Sequence, residues 1–254
     1  MFLLILLFFH HHQDLILHYV CQYLMEYLLQ ALHSALRLVI GLDREVYYVV
    51  RTSITISIVA VSMATVLSVP LGIITAVNEF IGKRLLQQTL NTLMAIPTVV
   101  VGLLLYGLLS RRGLLGDFGL LYTPTAIVIG QCLLIVPVIW NLTINAVTAI
   151  DSRLPLTCRA LGATKTQQML LFFREARFGI MAAIVMGFGR ALGEVGIAMM
   201  LGGNIDGFTR TMTTAIALET SKGEFELALA LGIVLLGAAF IINGALQRLQ
   251  KSAE

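Results

Sequence analysis

Apolar residues fill five long runs of this chain, at residues 47–77, 89–109, 121–150, 179–201 and 225–246. Each run is long enough to cross a hydrocarbon core, which takes about 20 apolar helical residues. Before them, residues 26–42 repeat apolar positions every three or four residues around Gln30, His33 and Arg37. That spacing predicts an amphipathic or weakly spanning helix. Pro70, Pro97, Pro124 and Pro137 fall within the runs, where each frees backbone carbonyls that neighbouring helices or water must satisfy. The pattern predicts an all-α, polytopic transmembrane helix bundle of five to six spans.

Composition agrees. Of 254 residues 58% are hydrophobic and 12% charged, with a mean hydropathy of +0.90, whereas soluble domains carry about a quarter charged residues. The net charge of +3 is too small to argue for nucleic acid. Its distribution is more informative. Arg153, Arg159, Lys165, Arg174, Arg177, Lys83, Arg84, Arg248 and Lys251 fall on one side of the membrane by parity, and Arg44, Arg111, Arg112, Arg210 and Lys222 on the other. The richer side is the cytoplasmic one, which places the 151–178 loop inside. A cytoplasmic N-terminus then needs one more crossing, for which residues 14–42 are the candidate.

Residues 1–24 lack Lys and Arg and do not read as a secretory signal. They are treated as an N-terminal extension, with Met25 the more natural start. His10, His11 and His12 point in different directions on a helix and do not form a metal site. Cys21, Cys132 and Cys158 have no metal-ligand spacing and read as small buried hydrophobes. No catalytic constellation is legible, and no cofactor is called for. Gly82-Lys83 is followed by Arg84 rather than Ser or Thr, so there is no Walker A loop, and any ATP hydrolysis must come from another polypeptide.

The basic stretch DSRLPLTCRALGATKTQQMLLFFREARFGI, residues 151–180, interrupts the apolar pattern. Asp151 or Ser152 can cap a first short helix, Pro155 suits its opening turn, and Gly162 suits the left-handed position that ends it. Thr164 and Gln167 form a capping box for a second helix. The Arg159-Ala160-Leu161-Gly162-Ala163 core, followed by Gly179-Ile180, resembles the cytoplasmic coupling loop of binding-protein-dependent ABC importer permeases. Leu156, Thr157 and Cys158 depart from the family's usual Glu-Ala-Ala, and Arg174 stands near a position often held by proline. The resemblance implies that these five residues dock on an ATP-binding cassette subunit.

Inside the fourth run, Arg190 and Glu194 stand four apart and are predicted to pair on one helix face. Buried charges are costly and usually turn toward the bundle interior. Gly189 and Gly193 form a G-x-x-x-G step that permits close helix approach. A structural ion pair and a gate are both consistent with this pattern. The run Arg-Ala-Leu-Gly-Glu, then Met-Leu-Gly-Gly-Asn-Ile at 200–205, then the threonines 209, 211, 213 and 214, resembles the molybdate/tungstate branch of ABC importer permeases. Residues 217–224 are similar to the tungstate-type members. The resemblance implies a type I importer fold, with residues 25–254 as permease domain, in the cell membrane. It further implies a homodimer, two ATPase subunits and an extracytoplasmic oxyanion-binding protein. Arg190, Glu194 and Asn204 are the candidates for the translocation path or its gate. Arg111, Arg112 and Arg210 on external loops would attract a dianion. The alternatives are a molybdate or sulfate permease of the same type and an ion-coupled secondary transporter, which would want paired discontinuous helices and several intramembrane carboxylates.

Overall fold

The computed structural model describes residues 19–20, 22–30, 32–34, 36–37, 44–150, 154, 158, 160 and 162–251, with no side-chain detail at 45, 245–247 and 249–251. Among the described residues from Arg44 onward, nine helices are delimited: α1 Arg44–Val77, α2 Lys83–Met94, α3 Thr98–Leu109, α4 Pro124–Thr148, α5 Lys165–Glu175, α6 Arg177–Leu192, α7 Gly196–Gly202, α8 Met212–Lys222 and α9 Phe225–Lys251. A 3-10 turn, Gly116–Phe118, lies between α3 and α4.

Among the described residues, three helices are long and apolar enough to span a membrane alone: Val46–Val77, Pro124–Thr148 and Phe225–Gly244. Two further spans are broken. The α2–α3 pair bends by 96° and the α6–α7 pair by 56°. Counting each bent pair once gives five spans, matching the five apolar runs. Within the candidate sixth crossing, residues 14–42, the described residues 19–20, 22–30, 32–34 and 36–37 are helical, and the rest lie outside the described residues.

The two breaks correct the expectation of continuous spans, and each has a local cause. Pro97 cannot donate a backbone N–H and disfavours helix at Ile96, so α2 ends and α3 starts on the proline as N-cap. At residues 193–195 a glycine ends α6, and Glu194 turns its side chain back to cap the next helix.

The bundle is organised on α4, whose most extensive packing is against α1. Ile135 and Ile139 of α4, Ala60 and Ala64 of α1 and Ala191 of α6 are almost fully buried in one cluster. Small side chains on α1 let the backbones come close: a Cβ on Gly72 would stand 2.7 Å from Thr143 Cβ. Polar bonds pin the register. Ser68 Oγ donates to the Val136 carbonyl at 3.1 Å, and Trp140 Nε1 donates to Thr75 Oγ1 at 3.2 Å. Asn141 Nδ2 reaches Asn91 Oδ1 on α2 at 2.7 Å. A second cluster, Leu109, Ala126, Leu134, Ile197 and Leu201, joins α3, α4 and α7. On α9, Leu236, Phe240 and Ile241 are exposed, an apolar face that only hydrocarbon or another apolar surface can cover.

The Gly72 contact yields a test with a sign. Alanine normally improves a helix over glycine by about 1 kcal/mol. Gly107→Ala, where a Cβ meets nothing within 4 Å, should therefore not lower the thermal midpoint in detergent. Gly72→Ala should lower it, by overpacking worth about 1–3 kcal/mol.

Candidate coupling loop and helix-break site

The predicted coupling loop folds where described as the sequence grammar requires. Cys158 and Ala160 are helical, and Gly162 follows at φ 71°. Ala163 N donates to the Cys158 carbonyl at 3.0 Å, the six-to-one bond of a Schellman motif with Gly162 in the left-handed position. Nothing lies within 4 Å of a Cβ placed on Gly162, so the demand for glycine there is one of backbone conformation and not of space. Arg159 and Leu161, with Asp151, Ser152 and Pro155, lie outside the described residues.

The capping box is formed. Thr164 N donates to Gln167 Oε1 at 2.8 Å, and Gln167 N to Thr164 Oγ1 at 3.4 Å. Gln168 Nε2 binds the Ala163 carbonyl at 3.0 Å, tying the turn to α5. From α5, Phe172 enters the main core at 2% exposure, and Lys165, Gln168 and Met169 border a cavity with Ile73 and Val77 of α1 and Asn78 just past its end. The helix that follows the Gly162 turn is thus packed against α1 and α4.

Deeper in the bundle, the second constellation differs from its sequence expectation. Arg190 lies on the last turn of α6, but the helix ends at Leu192, and Glu194 stands in the break. The four-residue spacing consequently no longer sets both charges on one face. No ion pair joins them, and Arg190 Nε is buried without a hydrogen-bond partner. Glu194 is 6% exposed and accepts at Oε1 from Ile197 N at 3.0 Å, so its carboxylate meets the positive end of α7.

The carbonyl of Glu194 is taken up from elsewhere. Thr213 Oγ1, near the start of α8, donates to it at 2.8 Å. That start is itself fixed: Thr211 and Thr214 cap each other, with Thr211 N on Thr214 Oγ1 at 2.9 Å, and Met212 N donates to Ser53 Oγ of α1 at 2.6 Å. Gln131 Nε2 of α4 holds the Ala191 carbonyl at 3.2 Å. A Cβ on Gly196 would stand 3.0 Å from Thr98 Oγ1, so the two helix breaks meet at the first residues of α3 and α7.

Asn204 is not in this cluster. It lies past the end of α7 at φ 51°, its Oδ1 buried and unpartnered, in a loop closed by Thr209, whose Oγ1 bonds the Gly202 carbonyl. Sequence reasoning missed Gln131 and the bond that Ser53 makes, and it took Thr213, Thr214 and residues 217–224 as family motifs without seeing that they form a helix, α8. The available signal was hydroxyl and amide side chains inside apolar runs, which in a bilayer need partners.

Comparison with known proteins places this architecture. Residues 68–254 match the family described as binding-protein-dependent transport system inner membrane component. The chain is 41% identical over 218 residues to a tungstate uptake system permease protein, TupB, of Peptoclostridium acidaminophilum, covering 86% of this chain and 96% of that one. It is 36% identical over 219 residues to TupB of Campylobacter jejuni, covering 86% and 92%. A solved structure titled for inward-facing conformations of the MetNI methionine ABC transporter superposes with a TM-score of 0.65 at 18% identity, covering 83% of this chain and 95% of that one.

The break network makes a prediction about Glu194. Glu194→Gln keeps an oxygen for Ile197 N and should cost little thermal stability in detergent. Glu194→Leu leaves that buried donor unpaired and should cost about 1–3 kcal/mol. Thr213→Val, which removes the bond to the Glu194 carbonyl, should cost a similar amount. Equal midpoints for Gln and Leu at 194 would show that the cap contributes nothing.

Proposed function

This chain belongs to the family of binding-protein-dependent transport system inner membrane components, and we propose that it is the permease subunit of an ATP-driven importer whose cargo is tungstate. The observation that carries the cargo is the 41% identity over nearly the whole length of a tungstate permease. Tungstate and molybdate are nearly alike in size and charge, so physics alone does not separate them. Residues 25–254 form the permease domain, and residues 151–178 the cytoplasmic coupling loop.

In this reading an ATP-binding cassette partner grips the turn built by Arg159, Ala160, Leu161, Gly162 and Ala163. Its closing and opening moves α5, and Phe172 carries the displacement into the core. The junction of α3, α7 and Glu194 is the gate. Two half-helices that meet at breaks can pivot while the long helices α1 and α4 stay packed. Arg190, beside the break with a buried Nε, lines the path, and Asn204 belongs to its outer loop. Two copies of the chain enclose the path, and an extracytoplasmic binding protein delivers the anion. Paired broken helices also occur in ion-coupled carriers. Here, however, Glu194 already serves as a helix cap, and the Schellman-terminated turn supplies a docking element that such a carrier does not need.

Uptake of labelled tungstate into vesicles holding the permease, its ATPase and the binding protein tests this. Uptake should require ATP, and excess unlabelled tungstate should suppress it more than sulfate does. ATP-independent uptake would reject the importer, and stronger competition by sulfate would reject the cargo.

The Gly162 turn gives a second test. A non-glycine residue in the left-handed region costs about 1–2 kcal/mol, more when β-branched. Gly162→Val should insert in the membrane yet lose ATP-coupled uptake, whereas Gly162→Asn should retain part of it. Without the binding protein, the permease–ATPase complex should show no nanomolar tungstate binding by calorimetry, because a path that grips its cargo tightly cannot release it.

A further inference from the structure

At the end of α4 farthest from the coupling loop, a cavity of about 520 Å³ is bordered by Tyr106, Ser110, Arg111, Arg112, Leu121 and Tyr122. Its lining has no part in the coupling or gating described above. Arg111 and Arg112 are exposed, and neither joins an ion pair. The described pairs are Lys83 with Glu79, Arg210 with Asp206, and Lys222 with Glu219. Asp117, the only carboxylate between α3 and α4, is exposed and bridges to neither arginine. Two adjacent cations without a counter-ion therefore face one cavity.

The opposite wall holds a hydroxyl pair. Tyr106 and Tyr122 lie oxygen to oxygen at 3.2 Å, with rings edge to face. One proton serves the bond between them, so the other O–H is free to donate. The hydrogen bond with Tyr106, with burial and the neighbouring phenol adding to it, pushes the Tyr122 phenol above its ordinary value, so Tyr122 keeps its proton near pH 7. Tyr122 is also held in an unusual place. Its φ is 64°, its N–H donates to the Leu201 carbonyl at 2.8 Å, and a Cβ on Gly203 would come within 2.7 Å of its ring. Strain kept at a non-glycine residue is a mark of functional positions. Here it fixes the cavity wall to the tip of α7, one of the two half-helices that meet at the break.

We propose that this cavity is a low-affinity subsite for a tetrahedral dianion, in which Arg111 and Arg112 supply the charge and the free tyrosine hydroxyl supplies an oriented donor. The proposal rests on the importer reading, which supplies such an anion on this face. The site is weak by construction. The arginines are exposed, so water screens the attraction, and the cavity is large enough for the anion to keep part of its hydration. A subsite of this kind holds released anion next to the path without trapping it.

The test uses the unaltered permease–ATPase complex in lipid nanodiscs. Arginine-selective labelling by phenylglyoxal is read by mass spectrometry at Arg111 and Arg112, in millimolar tungstate, molybdate or sulfate, and in sodium chloride of equal ionic strength. The dianions should slow labelling of both residues, about threefold when present at twice the dissociation constant, while chloride and Arg210 serve as the references. The double variant Tyr106→Phe/Tyr122→Phe, which removes the free hydroxyl whichever residue carries it, should weaken that protection while leaving unprotected labelling at the parent rate. Equal labelling in dianion and chloride overturns the subsite, and undiminished protection in the double variant overturns the hydroxyl's part. Protection by the cargo-free binding protein alone, with none from the dianions, overturns it as well and marks the surface as a protein-docking face. Uptake by the complete importer, measured in parallel, separates the two readings: uptake without protection removes only the subsite, and protection without uptake removes only the importer.

Discussion

Inside a bilayer no water is available to satisfy a backbone polar group, so every break in a spanning helix must find its partners within the protein. The break at residues 193–195 meets this constraint from three directions. The Glu194 side chain takes the N–H of Ile197, Thr213 of α8 takes the Glu194 carbonyl, and Gln131 of α4 takes the Ala191 carbonyl. Because α8 is in turn fixed to α1 through Ser53, the bend of one span depends on three other helices. That dependence lets a local pivot remain a defined state rather than a region of melted helix.

The proposed coupling loop answers the same constraint differently, with motifs of its own. Its two short helices end and begin with their own motifs, a Schellman turn at Gly162 and a capping box at Thr164. A unit whose polar groups are satisfied locally can move as a rigid piece. Phe172 is buried among α1, α4 and α6 residues, which ties that unit to the close-packed core.

The five apolar runs, the Gly162 turn and the Thr164 box were legible because each rests on short-range rules: period, length, left-handed backbone and reciprocal capping. The pairing of Arg190 with Glu194 was not, because it assumed an unbroken helix, and one signal against it, Gly193 directly before Glu194, was read with Gly189 as a packing motif instead. α8 was invisible for another reason. Its eleven residues are too few and too polar to register as a span, and its position comes from long-range bonds of its threonines to α1 and to the break. Residues that join elements far apart in the chain leave no periodicity to read.

The bond from Met212 N to Ser53 Oγ closes across 159 residues, and this has a consequence for how the protein is made. During synthesis α1 enters the membrane many seconds before α8 exists, at about 5–20 residues per second. Over that interval the Ser53 hydroxyl has no partner on α8 and can bond only a carbonyl one turn back in its own helix. The last hairpin, α8 and α9, therefore arrives to exchange that internal bond for a tertiary one. Chains truncated before residue 212 would be inserted and helical, yet would lack the tie that sets the bend between α6 and α7, which gives a quality-control protease a local difference by which to recognise them.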